Sequence, residues 1–151
     1  MDQLTTKATK VQSFLNNAEK PFNVVELPAS TRTAVDAANA IGCSVEQIAK
    51  SLVFSDQDDQ LVLVIASGTN RVCTDTIEQN TGLVLSMANG KRIKKETGFA
   101  IGGIPPVAHD CNMKTLLDKD LKSLNEIWAA AGTPNAVFSL VPEDLPSLTQ
   151  G

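Results

Sequence analysis

The sequence is poor in the residues from which nucleophilic and metal-dependent sites are usually built. Among its 151 residues there is one histidine and there are three cysteines, Cys43, Cys73 and Cys111, with no CxxC pair among them. This pattern argues against both a disulfide framework and a zinc site. We interpret each cysteine as a small, partly buried side chain, and we expect no bound metal and no cofactor.

Long hydrophobic runs are also missing. No apolar run approaches the ~18 residues that a membrane-spanning helix needs, and the polar start MDQLTTKATK is not typical of a signal peptide. We therefore expect a cytoplasmic protein with no membrane partner. A content of 42% hydrophobic and 20% charged residues is ordinary for a globular protein, and the length favours one domain spanning residues 1–151.

An excess of positive charge is absent too, since the formal net charge is −4. Proteins that coat nucleic acid without specificity need clustered lysine and arginine, so no DNA partner is expected. One local basic run does occur, formed by Lys91, Arg92, Lys94 and Lys95. It is either a solvated helix face or a set of phosphate contacts.

Hydrophobic periodicity predicts one mixed α/β domain with much antiparallel pairing. The predicted helices cover residues 5–18, 33–41, 74–81, about 89–98 and a short segment in PEDLPSLT; the predicted strands cover residues 22–27, 50–54, 61–66 and 83–87. KSLVF and LVLVIA are expected to form a central hairpin. EIWAAAG contains helix-forming residues, yet it can also pair with AVFSLV as a second hairpin.

Familiar catalytic motifs are not present. There is no GxSxG elbow, and His109 is the sole candidate histidine base. The segment GFAIGGIPP, residues 98–106, matches neither GxGxxG nor GxxxxGK[ST]. A catalytic triad, a dinucleotide site and a P-loop are therefore not supported.

Two features remain as candidates for chemistry. Lys50 lies in a predicted strand and points the same way as Leu52 and Phe54, so its ammonium either holds a substrate oxygen or only extends to solvent at a strand end. Residues 98–106 combine bare glycine backbone with two stiff prolines. They form either a structural turn or an oxyanion site built from main-chain N–H groups.

Four ordered blocks, IAKSLVF, LVLVIASGTNRV, TGFAIGGIPPVAH and AAGTPNAVFSL, resemble the YbaK/EbsC-like family of aminoacyl-tRNA deacylases. That family includes the editing domain of bacterial prolyl-tRNA synthetases. The resemblance implies a single α+β domain with a mixed, highly curved, barrel-like sheet surrounded by helices. It also implies hydrolysis of the ester that joins a wrong amino acid to the terminal adenosine of tRNA.

The resemblance also implies roles for individual residues. Lys50 matches the functional lysine that holds the aminoacyl-adenosine end, and Gly102, Gly103 and Pro106 match the GxxxP segment whose backbone contacts the carbonyl or the attacking water. Other residues expected at the substrate pocket are Ser67, Gly68, Asn70 and His109. The basic run, Lys91, Arg92, Lys94 and Lys95, is expected to meet acceptor-stem phosphates.

The resulting hypothesis is a free-standing, trans-editing deacylase for a small amino acid, with alanine first and serine or threonine after it. The expected partner is the acceptor end of tRNA, and an aminoacyl-tRNA synthetase is a second candidate partner. The alternatives are a non-catalytic module that binds tRNA or a nucleotide, and a small-molecule-binding domain. Two positions depart from the family pattern. Ala108 in place of glycine is expected to narrow or shift the pocket, and Pro105 in place of serine argues against a preference for cysteinyl-tRNA.

Overall fold

The computed structural model of the chain describes residues 6–18, 22–27 and 33–149. The helices are α1 (Thr6–Leu15), α2 (Ala34–Ile41), α3 (Thr74–Thr81), α4 (Gly90–Thr97) and α5 (Asp144–Thr149). The strands are β1 (Val24–Glu26), β2 (Ile48–Ser55), β3 (Leu61–Ser67), β4 (Ser86–Met87), β5 (Lys114–Leu117), β6 (Ile127–Ala130) and β7 (Ala136–Leu140). Two short 3₁₀ turns, Val45–Gln47 and Lys119–Ser123, precede β2 and β6.

Local sequence signals set the ends of several helices. The Thr33 hydroxyl accepts a hydrogen bond from the Asp36 N–H and begins α2, and Gly42 ends it in the left-handed conformation with φ 86°. The side chain of Asn89 accepts from the N–H groups of Lys91 and Arg92 and begins α4. These caps lie where the sequence predicts them.

The strands form one mixed sheet in the order β1, β7, β6, β2, β3, β5, with β4 paired to β2. The predicted hairpin of β2 and β3 is confirmed. Of the two alternatives for EIWAAAG, the structure has the strand, β6, which pairs with β7. Parallel pairing joins β2 to β6 and β3 to β5. The α+β fold class is therefore confirmed. Within the described ranges the end strands β1 and β5 do not pair, so the sheet stays open rather than closing into a barrel.

Two parts of the sheet differ from the prediction. Of the predicted strand 83–87 only β4 pairs, because the Val84 N–H is bound by the side chain of Gln57 instead of a strand. Strand β5 was not predicted; it pairs in parallel with β3, a segment far away in sequence, and no hairpin signal marks such a pair.

Strand β2 has a gap along one edge, and this gap positions the site. On that edge β6 pairs with Ile48 and Ala49, and β4 pairs with Phe54 and Ser55. The residues between, 50–53, pair with β3 on the other edge only, as far as the described chain shows. The sheet therefore opens beside Lys50.

The core lies mainly on one face of this sheet. Leu63 and Ile65 of β3 are fully buried there, packed with α1 and with Phe99 and Phe138. The opposite face carries two smaller clusters, one beneath α2 and one around Leu83 and Leu85. No helix in the described ranges is long and apolar enough to cross a bilayer.

Candidate active site

A cavity of about 210 Å³ occupies the gap in the sheet; we call it the gap cavity. Its lining includes side chains from both faces of β2, since Lys50 and Ser51 point in opposite directions along the strand. Helix α2 and strand β6 form two of its walls, and Ile101 and Gly102 of the glycine-rich segment form another. The structure thus brings together the two features that the sequence singled out.

Lys50 lines this cavity with a half-buried side chain. Burial lowers the pKa of its ammonium below the usual range, the nearby Arg71 cation lowers the pKa further, and the Asp118 carboxylate acts in the opposite direction. Among the described residues no side chain forms an ion pair with Lys50. Its ammonium is therefore available to an oxygen atom of a ligand.

The glycine-rich segment supplies a main-chain donor to the same cavity. The Gly103 N–H donates to the Ala100 carbonyl at 3.0 Å, and Gly102 has φ 97°, so residues 100–103 have the pattern of a type II turn. The central peptide of the turn carries the Gly102 N–H, which no described residue accepts. Gly102, which lines the gap cavity, therefore has a main-chain N–H that no described residue uses.

Gly103 has a different role from the one predicted. Its N–H is already used within the turn, and its carbonyl accepts the Gly132 N–H at 2.9 Å. A Cβ at this position would lie 2.8 Å from the Thr133 backbone, so only glycine allows the turn to pack against the connection between β6 and β7. Gly103 thus fixes the turn, while the N–H of Gly102 stays unused by the described residues.

Pro106 and His109 do not line the gap cavity, contrary to the sequence expectation. They line a different, wider surface cavity of about 780 Å³. The Nε2 of His109 bonds the Pro105 carbonyl at 2.6 Å, and the ring packs edge-on against Phe99. Burial lowers the pKa of His109, which favours its neutral form.

The loop after β3 does not line the gap cavity either. The Ser67 hydroxyl donates to the Glu46 carbonyl at 2.7 Å, and a Cβ at Gly68 would lie 2.2 Å from the Val45 carbonyl oxygen. Asn70 donates to the carboxylates of Asp118 and Asp120. Ser67 and Gly68 thus hold the loop in place and do not line the gap cavity, whereas Asn70 lines a second cavity.

Asp118 is the residue that organises this region, and the sequence reasoning missed it. Burial alone would raise the pKa of its carboxyl, but hydrogen bonds from the Asp120 N–H, the Asn70 side chain and the Ser67 N–H outweigh burial and hold the pKa below its usual range. An aspartate that directly follows an apolar strand and precedes a helical turn was the available signal.

Ser51 and Trp128 are two further cavity residues that the sequence reasoning missed. The Ser51 hydroxyl is buried, and no described residue offers it a hydrogen-bond partner. Its position next to Lys50 was the only signal. In the part of the chain that the structure describes, no cluster of His, Cys, Asp and Glu could hold a metal ion.

The basic run divides between two faces of α4. Arg92 points to the tip of the β2–β3 hairpin, where its guanidinium binds the carboxylates of Asp59 and Glu96. Lys91, Lys94 and Lys95 are exposed, and their spacing of three and four residues places them on one helix face. Arg92 is therefore not available as a predicted phosphate contact.

Comparison with known proteins shows the family that the chain resembles. The family model of the aminoacyl-tRNA editing domain matches residues 28–148. The uncharacterized protein YwhH of Bacillus subtilis is 34% identical over 89% of this chain and 86% of its own length. The proline–tRNA ligase of Thermosipho melanesiensis is 30% identical over 69% of this chain, which corresponds to 18% of the ligase. The crystal structure of a candidate trans-editing enzyme for prolyl-tRNA synthetase superposes with a TM-score of 0.92, at 43% identity over 99% of this chain and 95% of that one.

Proposed function

Since the chain belongs to the aminoacyl-tRNA editing domain family, we propose that it is a free-standing deacylase that removes a small, wrongly attached amino acid from tRNA. The observation that carries the proposal is that Lys50 and Gly102, whose N–H no described residue uses, line the same cavity. One group can hold a substrate oxygen by charge, and the other can donate to a developing oxyanion.

Hydrolysis of an aminoacyl ester requires little of the protein beyond positioning the substrate. An aminoacyl ester is activated by the neighbouring ribose hydroxyl and the α-ammonium, so positioning it and polarising its carbonyl supply most of the catalysis. In the proposed reaction a water oxygen bonds to the carbonyl carbon, Lys50 orients the ester and the Gly102 N–H stabilises the oxyanion. The bond to the ribose oxygen then breaks, the ribose oxygen takes up the proton that the attacking water gives up, and the free amino acid leaves.

Alanine is the first candidate for the amino acid. The gap cavity is small, about 210 Å³, and part of its wall is made of the short side chains of Ala34, Ala37 and Ala130. A small aminoacyl group can enter such a space more easily than a branched or aromatic one. Serine and threonine follow, because an added hydroxyl is only weakly rejected by an apolar pocket.

The partner is proposed to be the acceptor end of tRNA. Lys91, Lys94 and Lys95 form an exposed cationic face on α4 that can meet backbone phosphates. Prolyl-tRNA synthetase is the first synthetase to test as a second partner, because a structural relative is a candidate trans-editing enzyme for it.

The experiment that tests this function is a hydrolysis assay on tRNAPro charged separately with alanine, serine, threonine and proline. We expect rapid loss of alanine, slower loss of serine and threonine, and no loss of proline. Binding of all four substrates without hydrolysis of any would contradict the deacylase and favour the non-catalytic tRNA-binding module.

A further inference from the structure

A second cavity, of about 440 Å³, lies beside Lys50 on the same face of the sheet. Lys50 on β2 is the cross-strand partner of Ala66 on β3. Ala66 lines this second cavity. Directly opposed residues in a sheet point to the same face. Lys50 therefore stands between the gap cavity and the second cavity.

The second cavity opens at the carboxyl ends of two parallel strands, β3 and β5. Crevices at the carboxyl ends of parallel strands are common ligand sites in open α/β sheets. Here the loops that follow both strands are fixed to each other, since the Asp118 carboxylate accepts from the Ser67 N–H and from Asn70. The cavity is thus preformed, which lowers the entropic cost of binding.

The lining has an apolar floor, two cations at its rim, and the Asp118 carboxylate, whose oxygens already accept hydrogen bonds from Ser67, Asn70 and Asp120. Val64 and Ala66 are buried at the floor, together with the half-buried Leu116. Arg71 and Lys119 are exposed at the rim, and neither forms an ion pair with any other described residue. Apolar surface suits the faces of a nucleobase, and unpaired cations suit phosphates.

We propose that the second cavity binds the unpaired 3′ nucleotides of tRNA, with Arg71 and Lys119 facing their phosphates, while the aminoacyl group occupies the gap cavity. This assignment rests on the proposed deacylase function. An ester links the amino acid directly to the terminal ribose, so the two parts must occupy adjoining sites with the ester between them. Lys50 lies at that junction, within electrostatic range of Arg71 and Asp118.

The test uses a fluorescently labelled, uncharged CCA trinucleotide RNA and fluorescence anisotropy across a range of salt concentrations. Arg71→Glu and Lys119→Glu are each expected to weaken binding at least tenfold and to reduce the salt slope by about 1. The matched control is Lys122→Glu, the same charge change at an exposed residue of the turn after β5 that does not line the cavity. It is expected to weaken binding less than twofold.

A steric variant, Thr76→Trp, tests the cavity itself. Thr76 is exposed on α3 and lines the second cavity, so a large side chain fills the space without disturbing the core. We expect loss of CCA binding with an unchanged circular dichroism spectrum. Equal weakening by all three charge reversals, or full CCA binding by Thr76→Trp, would overturn the proposal.

These measurements involve no hydrolysis, so their results test the nucleotide site independently of the proposed deacylase function. A protein that binds CCA in this cavity but leaves every charged tRNA intact would refute the deacylase alone. Hydrolysis of alanyl-tRNA together with CCA binding that is unchanged by the substitutions at Arg71, Lys119 and Thr76 would refute the nucleotide site alone.

Discussion

At the scale of single residues, Ala108 shows where this chain bears backbone strain. Its φ is 69°, in the left-handed region that disfavours a Cβ. The resemblance to the deacylase family implies glycine at this position in many relatives, and the left-handed backbone gives a physical reason for it.

Ala108→Gly is therefore expected to raise the free energy of unfolding by about 1 kcal/mol, because relief of strain exceeds the added entropy of the unfolded chain. Urea unfolding monitored by circular dichroism measures it. Ala100→Gly is the matched control, since Ala100 is exposed and is not among the residues with positive φ; this change should destabilise. Destabilisation by both substitutions would show that Ala108 is not strained.

His109 predicts a dependence of stability on pH. Burial holds its folded-state pKa below about 6.5, helped by Lys10 and opposed by the bond to Pro105 and by Asp110. The unfolded chain therefore binds a proton at a higher pH than the folded chain, so stability is full above about 6.5 and falls as the pH drops below it. His109→Gln should remove this part of the pH dependence in urea melts between about pH 7 and 5. An unchanged slope would contradict the assignment.

At the scale of elements, the basic run on α4 combines one residue that forms ion pairs within the protein with three that are exposed to solvent. Arg92 binds Asp59, a residue with φ 61° at the tip of the β2–β3 hairpin, while the lysines face solvent. The sequence predicted the helix and its ends because Asn89 and Gly98 are strong local signals. It could not separate Arg92 from the lysines, because the partner Asp59 is distant in sequence.

This division predicts opposite effects for two substitutions in α4. Arg92→Ala should lower the unfolding temperature and leave the salt dependence of tRNA binding nearly unchanged, because its charge is used inside the protein. Lys94→Ala should leave the unfolding temperature unchanged and reduce the salt slope of tRNA binding by about 1. Thermal unfolding and filter binding measure the two effects. A reduced salt slope for Arg92→Ala alone would contradict the division.

At the scale of the whole molecule, the candidate site exists because two strands leave β2 partly unpaired. Alternation and turn residues predicted the hairpins β2–β3 and β6–β7, since both depend on neighbouring sequence. The gap depends on the parallel pairing of β2 with β6 and on the short β4, which no local pattern encodes. The sequence could therefore single out Lys50 and Gly102 as candidate site residues. Ser51, Trp128 and the second cavity could be recognised only once the fold was known.

The central claim is that Lys50 holds the ester at the gap cavity. The most direct measurement is the single-turnover rate of alanyl-tRNA hydrolysis by wild type, Lys50→Ala and the exposed-lysine control Lys114→Ala, each checked for folding by circular dichroism. Misplacing a reacting group by about 1 Å costs about 10² in rate. We predict a loss of that size for Lys50→Ala and a wild-type rate for Lys114→Ala. A folded Lys50→Ala variant with the wild-type rate would contradict the claim.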